Sequence, residues 1–349
     1  MRRLLAPLIV AVFLGALAAP AVAAAPAPRV TARTGVLMDA ATGAVLWQRD
    51  AHKPVLIAST TKILTALVAE QVYPADKVFV VPRAAANVDG TRLGYQQGMK
   101  VNRHDLLATM LMVSANDAAE TLAAAYPLGG RVGFLAAMQA KAKSLGCTDS
   151  TFRDPSGLDA PGHQASAADM AIIGRALLKR PELAKIVASR TAHYRWPDGH
   201  VQVITNHNHL VSQGRDPGAL GIKTGYTIAA HSTIVAAQQR DGRVLIAVAL
   251  GTDDMYTDVR SMFAYGFATK TPANAPILGA VPTTTAPSAA PPRAGRASPL
   301  GFEHRSSRPR DSGSILERVA AAPLPAVATA AIALLVIGVT VTAFSRPRR

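Results

Sequence analysis

The chain has 349 residues, 49% of them hydrophobic and 17% charged, and its 37 Lys and Arg against 22 Asp and Glu leave a net charge of +15. That length would allow two domains, although both ends have compositions that point to something other than globular fold. A single cysteine, Cys147, excludes an intramolecular disulfide, and 5% aromatic residues with no nucleic-acid motif make nucleic acid a poor partner for the basic charge.

Arg2 and Arg3, the apolar run Leu4 to Ala19 and the small residues Ala21-Val22-Ala23 ahead of Pro26 read as a secretory signal peptide over residues 1–25, cut near Ala23 or Ala25. A globular domain is expected over 29–270. It opens with two β-prone runs, Gly35 to Asp39 and Ala44 to Gln48, separated by Ala40-Ala41-Thr42-Gly43, a hairpin pattern. Ser59 to Val72 is apolar nearly all round, which predicts a central buried helix and not a surface one. Asp105 to Met112, Asp117 to Ala125, Arg131 to Leu145 and Ala167 to Leu178 predict further helices, each opened by or near a polar capping residue. Between them, Cys147 stands beside Leu145-Gly146 and before Phe152, the surroundings of a small buried side chain.

A strand is expected around Gly221 to Thr227. A second hairpin follows, with Ser232 to Gln239 and Arg243 to Leu250 flanking Arg240-Asp241-Gly242, whose Asp-Gly step suits a turn needing positive φ. That brings one antiparallel sheet to about five strands, drawn from the two ends of the domain. Asp253 to Thr269 carries Met255, Val259, Met262 and Phe263 at helical spacing and should pack on the sheet. Helices inserted between the first and last strands of one antiparallel sheet give an α+β fold class with a helical subdomain.

Residues 271–318, rich in Pro, Ala, Thr, Ser and Arg, read as an extended linker. Val319 to Phe344 is uncharged and long enough to cross a hydrocarbon core of about 30 Å, so 319–344 is expected to be a transmembrane helix. Arg346, Arg348 and Arg349 then make 345–349 a basic cytoplasmic tail, which puts the domain on the outer side of the membrane.

Three short patterns carry the chemistry: Ser59-Thr60-Thr61-Lys62, Ser114-Ala115-Asn116 and Lys223-Thr224-Gly225. On a helix Ser59 and Lys62 share a face, close enough for the amine to take the hydroxyl proton. At the helix start the Ser59 amide is free to meet a developing oxyanion. Lys62 can act as a base only if its pKa falls, which burial and a second cation, Lys223, would both favour. Alone, the pattern also fits a solvated lysine beside an N-capping serine. Asn116, on an expected loop after Leu106 to Val113, also fits a helix N-cap for the segment starting at Asp117. His207-Asn208-His209 is the only local histidine cluster, and without a third ligand it reads as turn residues. Neither a metal site nor a cofactor is expected.

Together, and in that order, the three patterns are the signature of class A β-lactamases and penicillin-binding proteins. From about Gly35 to Gly266 the chain resembles low-molecular-mass penicillin-binding proteins of the D-alanyl-D-alanine carboxypeptidase family. Ile57 to Lys62, Leu106-Leu107 through Ser114 to Ala119, Asp154-Pro155-Ser156-Gly157-Leu158-Asp159 and Gly221 to Thr227 carry the likeness. It implies a β-lactamase/transpeptidase-like fold and acylation of Ser59, with Ser114 relaying the proton to the leaving group and Asn116 orienting Lys62 and the substrate carbonyl.

Lys223 and Thr224 would then hold the terminal carboxylate of a peptidoglycan stem peptide ending in D-Ala-D-Ala, and Gly225 would keep the strand edge clear for it. The backbone amide of Tyr226, where many relatives carry His, would be the second oxyanion donor. β-Lactam antibiotics would acylate the same serine, and the basic outer surface suits anionic wall polymers or lipid head groups. Two alternatives stand beside this reading. A serine β-lactamase would need a deacylating Glu, and Thr151 to Ser166 holds only Asp154 and Asp159. A catalytically idle wall-binding protein would have no need of the nucleophile.

Overall fold

The computed structural model describes residues 26–196 and 198–279. The expected signal peptide, transmembrane helix and tail lie outside those residues, as does the linker beyond 279. In chain order the elements are β1 (Thr34–Asp39), β2 (Val45–Arg49), a 3-10 turn (Ala58–Thr61), α1 (Lys62–Val72), β3 (Val78–Val80), α2 (Arg83–Ala86), β4 (Lys100–Asn102) and α3 (Arg103–Met112). Then come α4 (Asn116–Ala124), α5 (Gly130–Ser144), α6 (Ala167–Leu178), α7 (Pro181–Ala188), β5 (Thr191–Arg195), β6 (Val201–Thr205) and α8 (His209–Ser212). The last four are β7 (Ala219–Thr227), β8 (His231–Arg240), β9 (Arg243–Thr252) and α9 (Met255–Ala268).

The expected five strands form one antiparallel sheet in the order β2-β1-β9-β8-β7. The β8–β9 hairpin turns at Asp241-Gly242, both at positive φ, as the Asp-Gly step predicts. Along β9, Ile246, Val248 and Leu250 face the helical side, while Leu245, Ala247 and Ala249 pack with Val259, Met262 and Phe263 of α9. Period-two alternation with apolar residues on both faces is what a sheet covered on both sides requires. α6 lies against β1, β8 and β9 from one side and α9 against β8 and β9 from the other. β7 is left as an edge strand.

α1 runs through the middle of the helical part, in contact with α3, α4, α5 and α6, and every residue from Lys62 to Ala69 is buried. Each large apolar side chain on it, such as Ile63 or Leu64, contributes about 1.5–3 kcal/mol by leaving water. Burial on all sides is therefore also what withdraws Lys62 from water.

Three features differ from expectation. The helix expected from Ser59 begins as a 3-10 turn, and α1 proper starts at Lys62. Two small two-stranded sheets, β3–β4 and β5–β6, were not expected, because their strands of three and five residues each bury a single side chain and are too short and too exposed to register as a pattern. The domain also continues past Lys270: Val45 N–H donates to Pro276 O, Leu278 N–H donates to Gly43 O, and Leu278 is buried in the core. The packed domain therefore reaches Leu278, eight residues past the expected boundary at Lys270.

Candidate active site

Ser59 lies in the 3-10 turn that enters α1. In that geometry residues three apart eclipse, so the side chain of Lys62 stands over Ser59, with Nζ 2.9 Å from Oγ. The turn is pinned from the sheet and from a loop. Thr233 Oγ1 on β8 donates to Ile57 O at 3.0 Å, and Thr61 Oγ1 donates to Ala58 O at 2.8 Å. Gly157 packs so closely on the turn that a Cβ there would meet Ala58 O at 2.0 Å.

Lys62 Nζ has two further partners, Asn116 Oδ1 at 2.7 Å and Ser156 O at 2.5 Å. A neutral amine has two N–H bonds and one lone pair. The three oxygens match the three donors of the ammonium; once the amine is neutral, two N–H groups keep the two carbonyl oxygens and the lone pair faces the Ser59 hydroxyl. Electrostatics favour the same form. Burial holds the Lys62 pKa well below that of an ordinary lysine, the Lys223 charge lowers it further, and the carboxylates of Asp154, Glu120 and Asp117 oppose them.

Ser114 occupies the turn between α3 and α4 in a left-handed conformation, φ 64°, with Ala115 N–H donating to Thr109 O behind it. Asn116 is the first residue of α4, and its side chain caps nothing. Its Oδ1 accepts from Lys62 while its Nδ2 donates to Asp89 O at 2.7 Å, so the N-cap alternative is set aside.

Lys223 is on β7 at 1% exposure, with Nζ donating to Thr224 O at 2.7 Å. Burial lowers its pKa to about 7. Thr224 is half-buried and Tyr226 is 66% exposed beside it. A Cβ on Gly225 would stand 2.7 Å from Ser59 N and 2.6 Å from Thr233 Oγ1. The glycine is thus needed for the contact between β7 and the nucleophile turn, a more immediate demand than an unobstructed strand edge.

Ser59, Lys62, Ser114, Asn116, Lys223, Thr224 and Gly225 come from the 3-10 turn, α1, the α3–α4 turn, α4 and β7. Direct contacts join Lys62 to Ser59 and Asn116, and Gly225 to the Ser59 backbone. Sequence reasoning gave no role to Ser156, whose carbonyl holds Lys62. The signal was the Asp154-Pro155-Ser156-Gly157 segment itself. Asp154 Oδ1 accepts from the N–H groups of Ser156, Gly157 and Leu158 and from Ser156 Oγ, while Oδ2 accepts from Arg131 at 2.6 Å. Burial would raise the Asp154 carboxyl, but these bonds and the Arg131 charge hold it below its ordinary value.

His207 and His209 lie at the turn into α8, as the turn reading expects, and His209 stacks on Tyr256 at 5.1 Å. Burial lowers the His207 pKa, and the charges of Lys223 and His209 lower it further. Cys147 is buried and burial raises its thiol pKa, as suits a packing residue.

A family model described as D-alanyl-D-alanine carboxypeptidase matches residues 21–254. The chain belongs to this family of serine peptidases. It is 37% identical over 254 residues to the D-alanyl-D-alanine carboxypeptidase DacB2 of Mycobacterium tuberculosis, across 70% of this chain and 84% of that protein. The fold matches a crystal structure of a D-alanyl-D-alanine carboxypeptidase from the same organism with a TM-score of 0.68 and 35% identity, over 74% of this chain and 98% of that one. A Streptomyces DD-transpeptidase matches with a TM-score of 0.66 and 25% identity, over 70% and 100%. The α+β arrangement of family members, a five-stranded antiparallel sheet with a helical subdomain, is the one observed here.

Proposed function

We propose that the chain is a serine D-Ala-D-Ala carboxypeptidase that removes the terminal D-alanine from peptidoglycan stem pentapeptides during cell wall maturation. The observation that carries this reading is the buried Lys62 amine, bonded to Asn116 Oδ1 and Ser156 O and aimed at Ser59 Oγ. Lys62 takes the Ser59 proton as Oγ attacks the carbonyl carbon of the penultimate D-alanine. The oxyanion is met by the backbone amides of Ser59 and Tyr226. The C–N bond then breaks, Ser114 passes a proton to the departing D-alanine amine, and the acyl group remains on Ser59 as an ester. Water hydrolyses the ester, with Lys62 again as base.

Lys223 and Thr224 hold the terminal carboxylate, which restricts cleavage to chain ends. β-Lactams acylate Ser59 by the same route and leave slowly. Of the two acids in Thr151 to Ser166, Asp154 is committed to Arg131 and the Ser156 loop, and Asp159 Oδ1 accepts from Thr227 Oγ1 at 3.1 Å. Asp154 is thereby committed, and the stretch holds no Glu in the place of the deacylating base of a β-lactamase. The reading extends to the ends of the chain: a cleaved signal peptide over 1–25 and a single transmembrane helix over 319–344 would hold the domain on the outer face of a bacterial cell membrane. No helix among the described residues is long and apolar enough to cross one.

The test is incubation with a pentapeptide ending in D-Ala-D-Ala and an L-Ala-L-Ala control. Free D-alanine should appear only from the first, and Ser59→Ala should reduce both its release and covalent penicillin labelling to background. A penicillin adduct on another serine would remove the assignment. In cells the full chain should resist a high-salt wash of the membrane fraction, which strips proteins held by charge alone.

A further inference from the structure

Lys62 is oriented by two carbonyl oxygens from separate parts of the chain, Asn116 Oδ1 at the start of α4 and Ser156 O in the loop between α5 and α6. Their relative position sets where the lone pair of the neutral amine points, so whatever ties α4 to that loop also sets the aim of the base. The tie is a cluster of three charged side chains that the reaction itself does not consume. Arg131, in the first turn of α5, donates from Nε to Glu120 Oε2 at 2.8 Å and from Nη2 to Glu120 Oε1 at 3.0 Å, a two-pronged pair with α4. The same Nη2 donates to Asp154 Oδ2 at 2.6 Å on the loop.

Asp154 carries the constraint inward. Its Oδ1 gathers the N–H groups of Ser156, Gly157 and Leu158 and the Ser156 hydroxyl within 2.7 to 3.0 Å, and the Ser156 carbonyl is left facing Lys62. Gly157, inside the same knot, packs on the carbonyl of Ala58, the residue before Ser59, and Thr65 Oγ1 on α1 donates to Pro155 O at 2.6 Å. One loop thus fixes both members of the Ser59–Lys62 pair, and Arg131 fixes that loop against α4. The side chains of Glu120 and Asp154 are only 12% and 8% exposed, and two withdrawn carboxylates sharing one site repel each other unless a cation stands between them. Burial pushes the Glu120 carboxyl up, and the paired guanidinium opposes it.

We propose that Arg131 is a positioning residue for the base, its guanidinium bridging Glu120 and Asp154 so as to lock α4 to the Ser156 loop and keep Lys62 aimed at Ser59. The assignment rests on the carboxypeptidase reading only in taking Lys62 as that base. A second effect is electrostatic. Asp154, Glu120 and Asp117 favour the protonated form of Lys62, and Lys223 on β7 favours the neutral one. Asp117 is already engaged, accepting from the N–H groups of Leu93, Gly94 and Tyr95, and buried His163 meets the nucleophile turn with Nε2 2.8 Å from Thr61 Oγ1. Arg131 offsets two of the three acids, which keeps the amine closer to the neutral form that it needs.

Stopped-flow acylation of the purified full chain by a fluorescent penicillin separates the acylation step from the initial binding, and the acid limb of its pH profile reports Lys62. In Arg131→Gln the fork is lost, and the acylation rate constant should fall about tenfold or more with the dissociation constant of the initial complex unchanged, because a misdirected base costs rate and not affinity. The acid limb should move to higher pH, since Lys62 then faces carboxylates that nothing offsets. Glu120→Gln should move it the other way, to lower pH. Arg131→Lys keeps the charge without the fork, so the limb should stay at its wild-type position while only part of the rate returns.

A cluster that serves stability alone would lower the melting temperature of these variants and leave the acid limb of the folded protein in place; that result would overturn the assignment and leave the carboxypeptidase reading intact. Should Arg131→Gln fail to fold, Glu120→Gln decides the matter, and an unmoved limb in that variant overturns the assignment equally. Absence of acylation in the wild-type chain would overturn both.

Discussion

Lys62 and Lys223 are equally buried, at 0% and 1% exposure, yet the helical wall and the sheet wall of the cleft hold them in opposite ways. On the helical side Lys62 has three oxygen partners, which fill every position of the amine in either protonation state. On the sheet side Lys223 has one hydrogen-bond partner among the described residues, the carbonyl of Thr224. An amine whose positions are all filled is fixed in orientation, which a base requires. One with donors to spare can receive an anion. The difference shows that burial alone does not assign a lysine its role; the number and kind of its neighbours does.

The sharpest way to break the contrast is to exchange each lysine for arginine. Lys62→Arg keeps the charge, has no accessible neutral form, and should lower the rate of penicillin acylation by about 10³-fold or more. Lys223→Arg retains an anion partner and should lose about tenfold in kcat/KM, mostly in KM. Equal losses measured by stopped-flow acylation would show that the two walls do not divide the work.

The same contrast sets a pH profile. Lys62 must be unprotonated to act, so activity falls as pH drops through its lowered pKa. Lys223 must be protonated to bind a carboxylate, and burial brings its pKa to about 7, so in the free enzyme kcat/KM should decline as pH rises above that value. The profile is bell-shaped. Lys223→Arg should move the alkaline limb upward, because the guanidinium stays charged; an unmoved limb would assign it to another group.

A smaller effect is expected where the walls touch. In Gly225→Ala the new methyl stands 2.7 Å from Ser59 N, so either β7 or the nucleophile turn must move. Overpacking should cost about 1–3 kcal/mol in denaturant unfolding and lower kcat more than it raises KM. Unchanged stability with unchanged kcat would mean that the contact is compliant.

The least effect should come from the far edge of the sheet. Truncation after Lys270 removes the bonds of Pro276 and Leu278 to Val45 and Gly43 and deletes the buried side chain of Leu278, opening to water the apolar surface it covers, for a loss of about 1–2 kcal/mol with activity on small peptides retained. Truncation after Gly279 should leave thermal stability unchanged.

Whereas α2, α7, α8 and the four short strands β3 to β6 were not legible in the sequence, the order of the five sheet strands and of α1, α3 to α6 and α9, the sheet drawn from both ends of the domain and the three short polar patterns were. They depend on local period, on turn chemistry at Asp241-Gly242 and on residue type, all of which act over a few neighbouring positions. The 3-10 entry to α1, the carbonyl of Ser156 on Lys62, the close approach of Gly225 to the Ser59 amide and the packing of Leu278 were not legible. The last three join residues far apart in the chain, Lys62 with Ser156 and Gly43 with Leu278 among them, and the 3-10 turn is held by Thr233 and Gly157, equally distant; no local pattern encodes such a distance. The sequence by itself determined which groups could do the chemistry, because a nucleophile, an amine and an anion partner are matters of side-chain type. Only the tertiary structure decided which lysine is saturated and which is left open, because an amine's protonation and direction are set by the burial and hydrogen bonds that folding brings to it.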